Sequence, residues 1–338
     1  MSRLSRRDFL KLGSLGLGGL ALARFLAACG KVGSTPASPV PPQASPTTVV
    51  PGSTGTASTP ASPTDISASI PDIVVARGGE PEALVRSALA AIGGMERFVP
   101  PGANVLVKPN ICVSYRSYEY AATTNPWVVA TLVRMCFEAG AAGVSVFDFP
   151  FGGSAEDAYL TSGIQEQVEA AGGTMIYPRT FKYVPTDIPN GVDLKKASIF
   201  DEVLNADVLI NVPVAKHHSS ARLTLAMKNL MGVIQDRSAM HVNLGQRIAD
   251  LASLVRPALN VIDAVRIMTA GGPTGGNLQD VLKLDTVIAS RDIVAADSFA
   301  STLFGMQPDD LAYIRAGTAL GLGRSDLQNL LVKEISIS

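Results

Sequence analysis

Beyond residue 70 the apolar positions of the chain fall into two rhythms. Short runs rich in branched residues, bounded by polar or turn-forming residues, occupy 104–107, 143–147, 174–177, 206–212, 259–263 and 286–289, and they read as strands. The run at 206–212, Ala-Asp-Val-Leu-Ile-Asn-Val, is the clearest buried strand of the set. Longer segments with helical spacing lie between them: 126–139 closed by Gly140, 155–171 closed by Gly172-Gly173, then 221–235, 244–255 and 292–304. Strands alternating with helices predict an α/β fold, a mostly parallel sheet covered by helices on both faces, built as one domain or two coupled lobes over 70–338. No internal repeat is visible. In such sheets the working residues collect just beyond the carboxyl ends of the strands.

The first 69 residues follow neither rhythm. Ser5-Arg6-Arg7-Asp8-Phe9-Leu10-Lys11 matches the twin-arginine export motif, a Gly-rich apolar stretch covers 12–23, and Leu26-Ala27-Ala28-Cys29 has the form of a bacterial lipobox. The apolar stretch is short for a hydrocarbon core of about 30 Å, and its glycines weaken it as a helix. Residues 1–28 therefore read as a twin-arginine signal peptide and Cys29 as the lipidation site. From residue 31 to 69 the chain is almost entirely Ser, Thr, Pro, Ala, Gly and Val, which cannot bury enough apolar surface to offset its ordering entropy. With Cys29 it reads as a disordered tether. These features predict an extracytoplasmic protein held at the outer face of the cytoplasmic membrane, with the twin-arginine machinery and the lipid bilayer as partners.

Composition narrows the body further. Hydrophobic residues make up 47% of the 338 and charged residues only 17%, which excludes disorder for most of the chain. Residues 1–28 hold five basic groups and one acid, so the remainder carries −5 of the formal net −1 and has no basic run; nucleic acid is not an expected partner. Three cysteines cannot assemble an iron–sulfur cluster or a zinc-finger framework. Cys112 and Cys136 read as core residues, with a disulfide between them as the alternative.

The strand-end rule selects the candidate chemistry. Lys108-Pro109-Asn110 follows one strand, Pro213-Val214-Ala215-Lys216-His217-His218 a second, and Asp263 closes a third, with the Gly-rich 271–277 shortly beyond it. All three histidines of the protein, His217, His218 and His241, fall within 25 residues, and Lys228-Asn229 lies among them. Imidazole serves both as a metal ligand and as a proton carrier near neutrality. Lysines 108, 216 and 228 can hold an anion as point charges, or act as bases where burial depresses them. The glycine loop, through Gly272 and Gly275, reads either as backbone N–H donors for an anion or as a plain turn. Ser219 and Ser220 lack a Gly-x-Ser-x-Gly elbow, which argues against a serine hydrolase.

Taken in order, Val107-Lys108-Pro109-Asn110, Thr124-Asn125-Pro126, Asn211-Val212-Pro213 with Lys216-His217-His218, Met227-Lys228-Asn229-Leu230-Met231-Gly232, His241, Ile262-Asp263-Ala264 and Gly272-Pro273 with Gly275 resemble the domain-of-unknown-function 362 family over nearly all of 73–335. Pro-x-x-Lys-x-His and Lys-Asn-x-x-Gly are the specific blocks, and His218 rather than His217 takes the family's histidine position. Val214 stands where many relatives have Lys. Some relatives append a ferredoxin-like segment with iron–sulfur clusters; this sequence lacks the cysteines for it. The His218, Lys228, His241 spacing is also similar to that of nickel-pincer lactate racemases, which implies proton or hydride movement at a carbon beside a carboxylate.

Two functions stay open at this point. One is an exported enzyme acting on a small anionic substrate, with His218, Lys228 and His241 as catalytic groups and Lys108, Asn110, Lys216, Asn229, Gly272 and Gly275 binding substrate; a divalent metal would sit on His218, His241 and Asp263. The other is a non-catalytic solute-binding or envelope-assembly lipoprotein. The enzyme requires these residues to converge in one cleft at the carboxyl edge of the sheet.

Overall fold

A computed structural model describes residues 70–337. The signal peptide, Cys29 and the tether lie outside the described residues. The chain runs β1 (Ile73–Arg77), α1 (Pro81–Ala91), β2 (Asn104–Pro109), α2 (Pro126–Glu138), β3 (Gly143–Val146), α3 (Ala155–Thr161), α4 (Ile164–Ala170) and β4 (Thr174–Met175). A two-stranded hairpin follows, β5 (Tyr183–Asp187) and β6 (Lys196–Phe200), then α5 (Asp201–Asn205), β7 (Val208–Val212), β8 (Val214–His218), β9 (Arg222–Thr224), α6 (Ala226–Asn229) and α7 (Leu244–Leu254). The remainder is β10 (Leu259–Met268), β11 (Val281–Ser290), α8 (Ile293–Thr302), α9 (Ala312–Ala319) and β12 (Val332–Ser336).

Ten of these strands join one sheet in the order β12-β1-β11-β10-β7-β2-β3-β4, with β8 pairing both β10 and β9. The stretch β10-β7-β2-β3-β4 is parallel throughout, and β11 runs antiparallel to both its neighbours. Side chains alternate across a strand with a period of two. In β2, Val105 and Val107 therefore pack beneath α1 and α2, whose Leu84, Leu89, Val129 and Leu132 share their core. Leu106 faces the other way, into a core with Ile248 and Leu251 of α7 and Val294 of α8. Helices thus cover both faces of a mostly parallel α/β sheet.

Several boundaries differ from the sequence expectation, for local reasons. The segment 155–171 is two helices, because Gly163 at φ +73° breaks the first and starts the second. The segment 221–235 is mostly not helical. Arg222 sits at φ +65°, β9 follows, and the four-residue α6 gives way to a tight 3₁₀ turn at Leu230–Val233. Residues 259–263 and 286–289 are parts of ten-residue strands, so Asp263 lies within β10 and does not close it. Cys112 and Cys136 are both free thiols. Among the described residues no helix is long and apolar enough to cross a membrane.

Candidate functional site

Strand parity decides which polar residues meet. Lys108 continues the Leu106 side of β2, and Asn211 the Leu209 side of β7, so both face α6. Lys108 is fully buried, and its Nζ donates to Asp148 Oδ1 at 2.7 Å, Pro109 O at 2.9 Å and Asn229 Oδ1 at 3.2 Å. Asp148 stands just past the end of β3 and also accepts Ile111 N at 2.6 Å. Burial pulls this pair toward its neutral forms, Lys108 down and Asp148 up, while their mutual attraction opposes the pull. Gly232 lies directly over the pair: a Cβ there would stand 1.9 Å from Asp148 Oδ1 and 2.7 Å from Lys108 Nζ. Close approach explains why the Lys-Asn-x-x-Gly block ends in glycine.

A line of amides runs across the sheet from this floor. Lys216 Nζ donates to Asn110 Oδ1 (2.9 Å), Asn110 Nδ2 to Asn229 Oδ1 (2.9 Å), Asn229 Nδ2 to Asn211 Oδ1 (2.8 Å), and Asn211 Nδ2 to Asn260 Oδ1 (3.0 Å). Because a lysine can only donate, it fixes the direction of every amide behind it. Lys216 Nζ also donates to the carbonyls of Ala122 and Pro273, so three oxygens take all the hydrogens an ammonium carries. Asn110 is held in turn by Thr124, whose Oγ1 accepts Asn110 N and donates to Val212 O.

Above this floor is a cavity of about 310 Å³, lined by residues that follow β2 and β3 together with β8, α6 and the segment around Arg237 and His241. Lys216 and His218 line it while His217 does not, since residues two apart in β8 share a face and the residue between them does not. This is the physical content of the Lys-x-His spacing. His217 instead accepts Gly272 N through Nδ1 at 3.1 Å.

His218 is held as a neutral ring. Its Nδ1 accepts Ser220 N at 3.1 Å and Ala221 N at 3.2 Å, which leaves the hydrogen of the neutral imidazole on Nε2. Burial, followed by the nearby Lys228 and Lys216 charges, pushes its pKa down to about 3. His241 is the reverse case: Nδ1 lies 3.1 Å from Arg237 O, a carbonyl that can only accept, so a neutral ring carries its hydrogen there and keeps a lone pair on Nε2. Arg237 donates to the carbonyls of Phe149 (3.0 Å) and Pro150 (2.8 Å), and its guanidinium lies 4.4 Å over the Phe149 ring.

Lys228 differs from every other cation here. It is 8% exposed and lines the cavity, and it makes no hydrogen bond or ion pair with any described residue. Burial first, then the charges of Lys216 and Arg237, push its pKa down to about 7. The short helix that carries it is fixed by Asp297 of α8, whose carboxylate oxygens accept Ala226 N at 2.5 Å and Met227 N at 3.0 Å.

Six of the candidate residues thus line one cavity: Asn110, Lys216, His218, Lys228, Asn229 and His241. Lys108 lies beneath it in the ion pair. Gly272 and Gly275 do not line it. A Cβ on Gly272 would meet His217 O at 1.9 Å, so this loop needs glycine to pack on β8, and Pro273 and Thr274 are the loop residues that reach the cavity. Asp263 is on the other face of β10, where its carboxylate accepts Asn125 N (2.7 Å), at the cap of α2, and Val265 N (3.0 Å). The proposed ligand set of His218, His241 and Asp263 is not assembled. Among the described residues no group of three or more His, Cys, Asp or Glu is placed to hold a metal ion. Asp148, Cys112, Arg237 and Phe149 also line the cavity and were not singled out in the sequence. The strand-end rule could have found Asp148, two residues past β3; Arg237 carries no sequence signal.

With this geometry in hand, the chain can be compared with known proteins. It is 28% identical over 250 residues to the thylakoid-associated protein sll1697 of Synechocystis sp., a match covering 71% of this chain and 75% of that one. Among solved structures it is similar to the lactate racemase apoprotein from Thermoanaerobacterium thermosaccharolyticum, at 12% identity and TM-score 0.40 over 63% of this chain, and spans about half (53%) of that protein's length. A protein from Thermotoga maritima is similar at 10% identity and TM-score 0.37, over 67% of this chain and 60% of that one. The model of the family described as Domain of unknown function (DUF362) matches residues 105–302, from β2 to the end of α8, and the chain belongs to that family.

Proposed function

We propose that this chain is an exported, membrane-tethered enzyme that takes a small anionic substrate into the cavity above the Lys108–Asp148 pair and moves a proton on it. The observation that carries this reading is Lys228, a buried amine that makes no hydrogen bond or ion pair with a described residue, whereas Lys108 and Lys216 beside it each donate to three oxygens. A site built only to hold an anion has no need to depress its lysine. A reactive amine does, because only the unprotonated form attacks or accepts a proton.

The surrounding groups support complementary roles. Lys216, Lys228 and Arg237 line the cavity against a single acid, Asp148, which Lys108 already neutralises, so the surplus charge favours an anion. His218 offers an Nε2–H to a substrate oxygen and gives no proton away at physiological pH. The neutral tautomer of His241 set by Arg237 O would present its Nε2 lone pair for proton transfer. The volume of about 310 Å³ suits a small molecule. Export by the twin-arginine route and anchoring through Cys29 complete the reading. The relative described as thylakoid-associated agrees with a membrane setting.

The test uses the purified chain, calorimetry, and deuterium wash-in at the carbon beside the carboxylate of lactate and malonate and at the methyl of pyruvate, followed by NMR. Binding with wash-in that Lys228→Met abolishes supports the enzyme. Binding without wash-in assigns the protein to the solute-binding class, and no binding of any of the three removes the anionic substrate.

A further inference from the structure

We propose that Lys228 captures its substrate covalently, as an imine with the carbonyl of a small oxo acid; this rests on the anionic-substrate reading above. The cavity presents the three things such capture needs. The first is a buried amine that no neighbouring side chain occupies, on a helix whose N-terminus Asp297 fixes in place. The second is a hydrogen-bond donor for the carbonyl oxygen, His218 Nε2–H, held in that tautomer by two backbone N–H groups. The third is positive charge for the carboxylate beside that carbonyl, from Arg237, which spends one hydrogen of each terminal nitrogen on a backbone carbonyl and keeps others.

The step balances with groups already present. The Nζ lone pair forms a bond to the carbonyl carbon, and the C=O π electrons move to oxygen, where His218 Nε2–H stabilises them. His241 Nε2 takes a proton from the resulting ammonium and returns it to that oxygen, giving a neutral carbinolamine. The nitrogen lone pair then expels the oxygen, which leaves as water after taking a second proton from solvent. The product is a protonated imine whose positive nitrogen draws electrons from the adjacent C–H bond. No oxidant or reductant is consumed. The depressed lysine supports the same conclusion: at pH 7 about half of Lys228 is free amine, whereas an ordinary surface lysine is unprotonated in only about one molecule in three thousand.

The experiment incubates the full chain with pyruvate or glyoxylate and sodium cyanoborohydride at pH 7, then reads intact mass and maps the modified peptide, with calorimetric binding of pyruvate and of lactate in parallel. The expected result is one adduct per chain, on Lys228, lost at least tenfold in Lys228→Met, a variant whose folding is checked by retained thermal unfolding. Pyruvate and lactate binding without any adduct would overturn covalent capture and leave the anionic-substrate reading intact. Adducts scattered over surface lysines at equal yield would overturn it as well. Failure of both ligands to bind would overturn both readings together.

Discussion

Replacing Lys228 by Met should stabilise the protein, and by an amount that depends on pH. In the unfolded chain the amine keeps its proton up to about 10.5; in the fold it gives the proton up near 7. Between those values the unfolded state binds more protons, so stability rises with pH through the window, is complete above 10.5, and is lost as pH falls through 7. At about 1.4 kcal/mol per pH unit, nearly fully expressed above 8 and half expressed at 7, the wild type should gain about 2 kcal/mol from pH 7 to pH 9 through this one group. Met fills a similar apolar volume and does not titrate. The Met variant should therefore be the more stable at pH 7, with its advantage shrinking by about 2 kcal/mol at pH 9. Asp297, whose shift owes nothing to the Lys228 charge, occurs in both proteins and cancels in the difference. Urea unfolding followed by fluorescence of Trp127, the single tryptophan, and by circular dichroism at matched pH measures the gap. Parallel pH curves for the two proteins would show that Lys228 titrates in its ordinary range and that its burial costs nothing.

Four further outcomes are expected. Gly232→Ala drives a methyl into the Lys108–Asp148 pair and should cost about 3–5 kcal/mol, the range for breaking a buried ion pair, seen as a lower urea midpoint. Asp297, pushed up to about 8 by burial, keeps its proton in the fold long after the unfolded chain has lost it near 3.8, so its contribution to stability falls as pH rises from 4 to 8; Asp297→Asn should flatten that fall in a Tm-against-pH series. Cys29→Ala should move the protein from the membrane fraction to the soluble one, and changing Arg6 and Arg7 to Lys should stop export, both read by fractionation of the native host.

The strand-and-helix rhythm makes most of the central sheet legible, because β2, β3 and β7 are short apolar runs with polar or turn residues at their ends, as is the first half of the ten-residue β10. Lys216 and His218 were found by proximity to a strand end, although they lie within a strand of their own, β8, that begins one residue after β7 stops at Val212. Pro213 separates two strands that the hydrophobic pattern alone runs together. Asp263 was the informative failure. The sequence pattern ends a strand at Asp263, but β10 runs on to Met268, and strand parity puts Asp263 with Val261 and Val265 on the α2 face, away from Asn260 and Ile262. Parity needs the exact register, and the sequence gives register only where one face is polar. In β10 both faces are buried, so nothing in the pattern distinguished them. The same limit hid α6: its four residues are too few to show a helical period, and the segment is shaped by Asp297, seventy residues away.

Counting used and unused hydrogen-bonding capacity sorts the family motifs by what they do. Lys108, Asp148, Asn110, Asn211, Asn229 and Lys216 form a network whose members satisfy one another, and Gly232 exists to let the chain close over it. Such a buried polar network is costly when any member is left unsatisfied, and it sets one arrangement of β2, β3, β7 and α6 at the sheet edge. Substitution there should disturb the fold before it disturbs any reaction. Groups with capacity to spare include the Lys228 amine, His218 Nε2–H, His241 Nε2, the remaining hydrogens of Arg237 and the hydroxyls of Ser219, Ser220, Thr224 and Thr274. A molecule entering the cavity meets these together with the network members Asn110, Asp148, Lys216 and Asn229, which line it as well. Lys108 and Asp148 neutralise each other in the floor, whereas Lys228 stands above them depressed and without a hydrogen-bonding partner among the described residues, and the enzyme proposed above rests on that contrast.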